Sequence, residues 1–175
     1  KDGWSFGNSG TVFGGSYYLN ATDRQALANS GISAENIEGV WSGSCAGLSV
    51  TAILAKNGIF TPEQFRHGAK TLSDLQGTPD VLSFINYFQC IGGRNGISSS
   101  YTKDIQKLYN AQKIAKNVPN GASPFLLVIP TASSSHAVVG YGHEAGTWKY
   151  AGKSYDARIL IWDSNFPQAI NEDIS

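Results

Sequence analysis

Apolar positions recur at helical spacing through the first two thirds of this chain and at strand spacing after Pro124. The segment Ala46 to Lys56 sets Leu48, Ala52 and Ala55 on one face and closes with Asn57-Gly58, which predicts a helix with a C-terminal stop. Val81 to Phe88 reads as a buried helix face started by Thr78-Pro79-Asp80 and running to about Cys90. A shorter helix is expected between Thr22, as its N-cap, and Ser30-Gly31, with Asp23 in its first turn. Thr61-Pro62-Glu63-Gln64 starts another that ends near Gly68, with Gln64 placed to complete a capping box. A further helix is expected after the Gly92, Gly93, Gly96 loop, capped by Ser99 or Ser100 and presenting Ile105, Leu108 and Tyr109 inward. Asn117 to Ser123 reads as a loop.

The last third has a different period. Phe125 to Ile129 is a continuous apolar run, as in a strand buried on both faces. His136 to Gly142 predicts a second strand and Arg158 to Asp163 a third, stopped by Ser164-Asn165 and Pro167. Thr147 to Tyr150 and Ser154-Tyr155 flank Gly152 as a hairpin tip. Helices followed by strands predict an α+β fold: an N-terminal helical lobe over residues 1–120 packed on a C-terminal antiparallel β-sheet over 121–175, within one domain. The aromatic, glycine-rich start from Trp4 to Leu19 reads as irregular structure packed on a surface, since disordered segments are poor in aromatics.

Composition narrows the function. The 175 residues carry no net charge and only 15% charged side chains, so no basic patch exists to neutralise phosphates and nucleic acid is not an expected partner. The longest apolar runs are strand-sized, so no membrane association is expected. No charged segment followed by an apolar one opens the sequence, and any signal peptide is expected to have been removed. The many Gly, Tyr, Ser and Asn residues suit an extracellular protein.

Chemistry concentrates at Trp41-Ser42-Gly43-Ser44-Cys45-Ala46, where a loop of small residues delivers a cysteine to the first turn of a helix. Unpaired N–H groups and the helix dipole there favour the thiolate over the thiol. The two cysteines, Cys45 and Cys90, could form one disulfide. Their surroundings differ, however, and Cys90 on an apolar helix face is expected to be a buried free thiol. A nucleophile needs a base, and the base an orienter. Side chains alternate along strands, so direct antiparallel pairing of 136–142 with 158–163 would bring His136, at the start of one, beside Asp163, at the end of the other. A meander with a further strand between these two would separate them. The site would then be a Cys45, His136, Asp163 triad in the cleft between lobe and sheet. Asn165 competes as the third member, but Asp163 ends the apolar strand where the orienter is needed. His143 lies in the excursion and is expected to be exposed, and His67 sits near a helix C-terminus for structural reasons. None of the close ligand pairs of a zinc site is present, and no metal or cofactor is expected.

These three stretches resemble the motifs of papain-like cysteine peptidases, in the family's order. Trp41 to Ala46 is similar to the nucleophile loop and His136-Ala137-Val138-Val139-Gly140-Tyr141-Gly142 to the histidine strand. Ile159-Leu160-Ile161-Trp162-Asp163-Ser164 is similar to the strand ending in the third residue, usually Asn, with Asp in bacterial branches. The resemblance implies a papain-like fold and a cysteine endopeptidase acting on protein or peptide substrates through a thioacyl intermediate. The nearest likeness is to papain-like domains of large, secreted, multimodular bacterial proteins, some in cellulosome-type assemblies. The family places an oxyanion glutamine six residues before the nucleophile, where this chain has Gly39, beside Glu38. The Cys45 N–H remains as one donor, and Asn8 is the candidate for the other. The chain is also shorter than the family's usual catalytic domain, with a longer excursion after His136. Two other functions fit the same residues: acyl transfer to an amine, as in transglutaminases, and a catalytically silent adhesion or scaffold module, which Gly39 favours.

Overall fold

The computed structural model describes residues 3–92, 124–130 and 134–167. The helix expected after Ser99 or Ser100, with Ile105, Leu108 and Tyr109, and the loop at 117–123 lie outside the described residues. Among the described residues, five α-helices precede the sheet: α1 (Gly10–Phe13), α2 (Ala21–Asn29), α3 (Ala34–Ile37), α4 (Cys45–Lys56) and α5 (Pro79–Gly92). Two short 3-10 turns, Pro62–Gln64 and Leu72–Asp74, lie between α4 and α5. The strands β1 (Phe125–Pro130), β2 (Ser135–Tyr150) and β3 (Lys153–Trp162) form one antiparallel sheet in the order β1-β2-β3. The described residues are thus α+β, with the helices preceding the sheet.

Local signals explain most element ends. Asn57 caps α4 and Gly58 follows at φ 70°, as the Asn-Gly pair predicts. Gln64 Oε1 accepts from the Thr61 N–H at 3.0 Å, completing the expected capping box, although the turn behind it is a single 3-10 turn. The cap of α2 is Asn20 rather than Thr22: Asn20 Oδ1 accepts the Asp23 N–H at 2.8 Å, and Thr22 is already inside the first turn. At the hairpin tip, Ala151 and Gly152 have φ of 47° and 75°, the two successive left-handed residues of a type I′ turn.

Among the described residues, two cores hold the helices. Trp4, Phe13, Leu48, Ala52, Leu72, Leu75, Val81, Ile85 and Val139 form the larger, and Trp41 and Trp162 pack against it. Leu19, Leu27, Ile32, Ile37 and Cys90 form the smaller. Trp4 is 1% exposed and donates Nε1–H to Leu48 O and Thr51 Oγ1, so the aromatic N-terminal stretch is part of the core and not a surface coating. Burial of a side chain of this size is worth about 1.5–3 kcal/mol or more.

Strand β2 is the buried centre of the sheet, with Ala137, Val138 and Val139 all buried. The run Phe125–Ile129, expected to be covered on both faces, is half-buried with Ile129 and Pro130 exposed, and among the described residues it lies at the edge of the sheet. A continuous apolar run could not distinguish edge from centre, because pairing partners rather than residue type decide position in the sheet. Strands β2 and β3 pair directly, from Val139↔Trp162 through Gly140↔Ile161 to Tyr150↔Lys153, with register shifts between Gly140 and Gly142 and between Ala145 and Trp148. No described helix is long and apolar enough to cross a membrane.

Candidate active site

Cys45 is the first residue of α4, and the loop before it is held by side chains from three other segments. Gly43 has φ of 127°, a conformation that side chains disfavour. Ser44, the N-cap, does not cap the helix with its own hydroxyl. Its Oγ accepts from Trp41 Nε1 at 2.8 Å and donates to the buried Asn86 Oδ1 at 2.6 Å. The orphan amides of the first turn are taken up from outside: Asn8 Oδ1 accepts the Ser44 N–H at 2.7 Å and Gln89 Oε1 accepts the Gly47 N–H at 3.0 Å. Tyr17 donates its hydroxyl to Gly43 O at 3.3 Å. No acidic residue lies in the first turn of α4.

One helix supplies much of this scaffold. Ser83, Asn86 and Gln89 recur every third residue along the largely apolar α5. Ser83 Oγ accepts the Asn20 N–H at 2.8 Å, Asn86 Nδ2 donates to Tyr18 O at 3.0 Å, and Gln89 reaches Gly47. The polar stripe was visible in the sequence as three polar residues at a spacing of three on a buried helix; its partners were not, because each lies more than 40 residues away.

His136 and Asp163 are joined, as direct strand pairing requires. His136 Nε2 lies 2.7 Å from Asp163 Oδ1, with each side chain 22% exposed: shielded enough to strengthen the bond, open enough to meet a substrate. Donation of Nε2–H to the carboxylate leaves Nδ1 as the nitrogen that can serve the thiol. Asp163 Oδ1 also accepts the Asn165 N–H at 2.8 Å. The side chain of Asn165 turns to Asn8 instead, its Oδ1 accepting Asn8 Nδ2–H at 3.2 Å. The carboxylate at the imidazole is therefore that of Asp163.

Two tethers bring α4 to this rim of the sheet. Ser49, one turn after Cys45 on the same helix face, donates its buried Oγ–H to Ala137 O at 3.1 Å, beside His136. That carbonyl lies beyond Val139↔Trp162, the last β2–β3 pair. The second tether runs through Asn8, bonded to Ser44 on one side and to Asn165 on the other, with its backbone N–H on Ser164 O at 2.9 Å. A continuous hydrogen-bonded path thus leads from His136 through Asp163, Asn165 and Asn8 to the residue preceding Cys45.

The other candidates fall elsewhere. Both cysteines are free. Cys90 is buried in the smaller core, its Sγ 3.9 Å from Asn36 O, and burial pushes its thiol up to about 11. Native protein at pH 8 should therefore release one equivalent of thiolate to DTNB and a second only in denaturant. The folded pKa lies above the unfolded one, so this thiol's contribution to stability is complete at neutral pH and is lost as pH climbs from about 9 through about 11. His143 is half-buried in β2 opposite Ile159, not exposed as expected, because the excursion is a paired ribbon and not a loop. His67 is fully exposed, 3.5 Å from Glu63. Glu38 is exposed with its carboxylate 3.4 Å from Arg24 on α2. Among the described residues, no three His, Cys, Asp or Glu side chains converge as metal ligands.

The set offers a thiol at a helix start, an imidazole pinned by a carboxylate, and a carboxamide bonded to the loop before the thiol: the parts needed for acyl transfer. No protein-family model, curated protein or solved structure matches the chain.

Proposed function

We propose that the protein is a cysteine peptidase of papain-like design, with Cys45 as nucleophile, His136 as general acid and base, and Asp163 as orienter. The observation that carries the reading is the His136–Asp163 bond at 2.7 Å, tied through Asn165 and Asn8 to the loop that presents Cys45. The Cys45 thiolate attacks the peptide carbonyl carbon, and His136 Nδ1–H protonates the departing amine. His136 then takes a proton from water, whose oxygen attacks the thioacyl carbon and releases the acid and the thiol. Asp163 stays on Nε2 throughout and stabilises the imidazolium. The Cys45 N–H, which at the first helical position has no intrahelical acceptor, and Asn8 Nδ2 are the two donors to the tetrahedral oxygen. Asn8 thus supplies the carboxamide that Gly39 lacks.

The same resemblance carries the proposals that the protein works outside a bacterial cell and within a larger multimodular polypeptide. The test is labelling with a peptidyl vinyl sulfone or epoxide followed by peptide mapping. Stoichiometric adduct at Cys45, formed orders of magnitude faster than with free cysteine and blocked in Cys45→Ala, is the expected result. A Cys45 no more reactive than free cysteine would overturn the reading. Offering a primary amine beside water in a turnover assay separates hydrolysis from acyl transfer.

A further inference from the structure

We propose that Asn165 is a positioning residue that acts through Asn8: its side-chain oxygen holds the Asn8 carboxamide in the orientation that turns an Nδ2 proton toward the tetrahedral oxygen. This rests on the peptidase reading. The orientation of Asn8 is set from two sides. A backbone N–H can only donate, so the Ser44 amide at 2.7 Å requires Oδ1 and not Nδ2 of Asn8 to face the Cys45 loop. The amino group consequently faces away from that amide, where Asn165 Oδ1 accepts one of its two protons at 3.2 Å. The second proton remains for a ligand. Gly43 keeps the space beside it open, since a Cβ there would come within 3.3 Å of Nδ2.

The segment after β3 holds Asn8 by its backbone as well, through Asn8 N–H on Ser164 O at 2.9 Å. Asn165 also touches the orienter, its N–H donating at 2.8 Å to the Asp163 oxygen that binds His136. That bond belongs to the main chain and survives side-chain substitution. The side-chain bond alone is therefore removable, and it lies on an exposed residue outside both cores. Loss of it is a loss of orientation, with folding left intact.

A double-mutant cycle on a peptide 4-nitrophenyl ester tests this. Asn8→Ala is expected to lower kcat/KM by about 10²-fold, the effect of losing one oxyanion donor. Asn165→Ala is expected to lower kcat by roughly tenfold with KM unchanged, as for an interaction made only in the transition state. The signature is non-additivity: with Asn8 already Ala, Asn165→Ala changes nothing further. Alkylation of Cys45 by iodoacetamide, which passes through no oxyanion, keeps its wild-type rate in Asn165→Ala. An Asn165→Ala variant as fast as wild type overturns the proposal, as does one whose loss persists in full beside Asn8→Ala, which would mean action through Asp163. Wild-type protein inert toward both ester and vinyl sulfone removes the peptidase reading and this inference with it, a result distinguishable from the first two.

Discussion

Replacing His136 by alanine is expected to lower kcat/KM on a peptide substrate by about 10³- to 10⁴-fold while leaving the protein folded. The stability cost should be only about 1–2 kcal/mol, because one hydrogen bond of a partly exposed pair is removed and no core atom moves. Asp163 should show a graded response that identifies its role. Asp163→Ala frees Nε2, lets the ring rotate, and removes the acceptor of the Asn165 N–H, so a loss of about 10²-fold or more is expected. Asp163→Asn keeps an oxygen that accepts from both donors and should lose far less. Comparable losses in the two variants would mean that negative charge, and not the position of the acceptor, is what His136 requires. Circular dichroism and a denaturation midpoint on each variant separate these effects from misfolding.

The ordering of helices and strands could be read from hydrophobic period because α5 and the β2–β3 ribbon are long and their patterns agree with their burial. Direct pairing of β2 with β3 was legible for another reason: it was the arrangement that let His136 meet Asp163, and the observed register Val139↔Trp162 is of that kind. What escaped the sequence is the set of contacts in which a side chain chooses among distant partners. Asn20 and Thr22 are both competent caps, and only the backbone path selects Asn20. Ser44 should cap α4 by local preference, but Trp41 and Asn86 claim its hydroxyl, and Asn8 and Gln89 take up first-turn amides instead. Asn165 looked like a rival to Asp163 because both follow the same strand; the turn after Trp162 sends one side chain to His136 and the other to Asn8. All but the Asn20 cap belong to the loop before Cys45 or to the network tied to it. They are the features least determined by local pattern and most determined by the completed fold.

Gly47→Ala should be the most damaging small substitution in the helical half. An ideal Cβ at Gly47 would penetrate the carbonyl oxygen of Ile85 and lie 3.1 Å from the Gln89 backbone nitrogen. Both are main-chain atoms of α5, which no rotamer change can move aside. The two helices must separate, opening the core between Leu48, Ala52 and Val81, Ile85. Alanine favours helix over glycine by about 1 kcal/mol, and overpacking of this kind costs about 1–3 kcal/mol, with the high end expected where backbone must move. The net loss should appear as a fall of several degrees in Tm. The consequence for the site is separate from stability. Separation of α4 from α5 lengthens the Gly47 N–H to Gln89 Oε1 bond and shifts the turn that carries Cys45, so activity per folded molecule should fall as well. Gly58→Ala provides the contrast. It sits at φ 70° with nothing within 4 Å of an added Cβ, at the far end of the same helix. It should cost about 1 kcal/mol of backbone strain and leave kcat unchanged. If Gly47→Ala proved as stable and as active as wild type, α4 and α5 would not approach closely enough for Gln89 to take up the first-turn amide, and the support of the Cys45 loop from α5 would have to come from Asn86 alone.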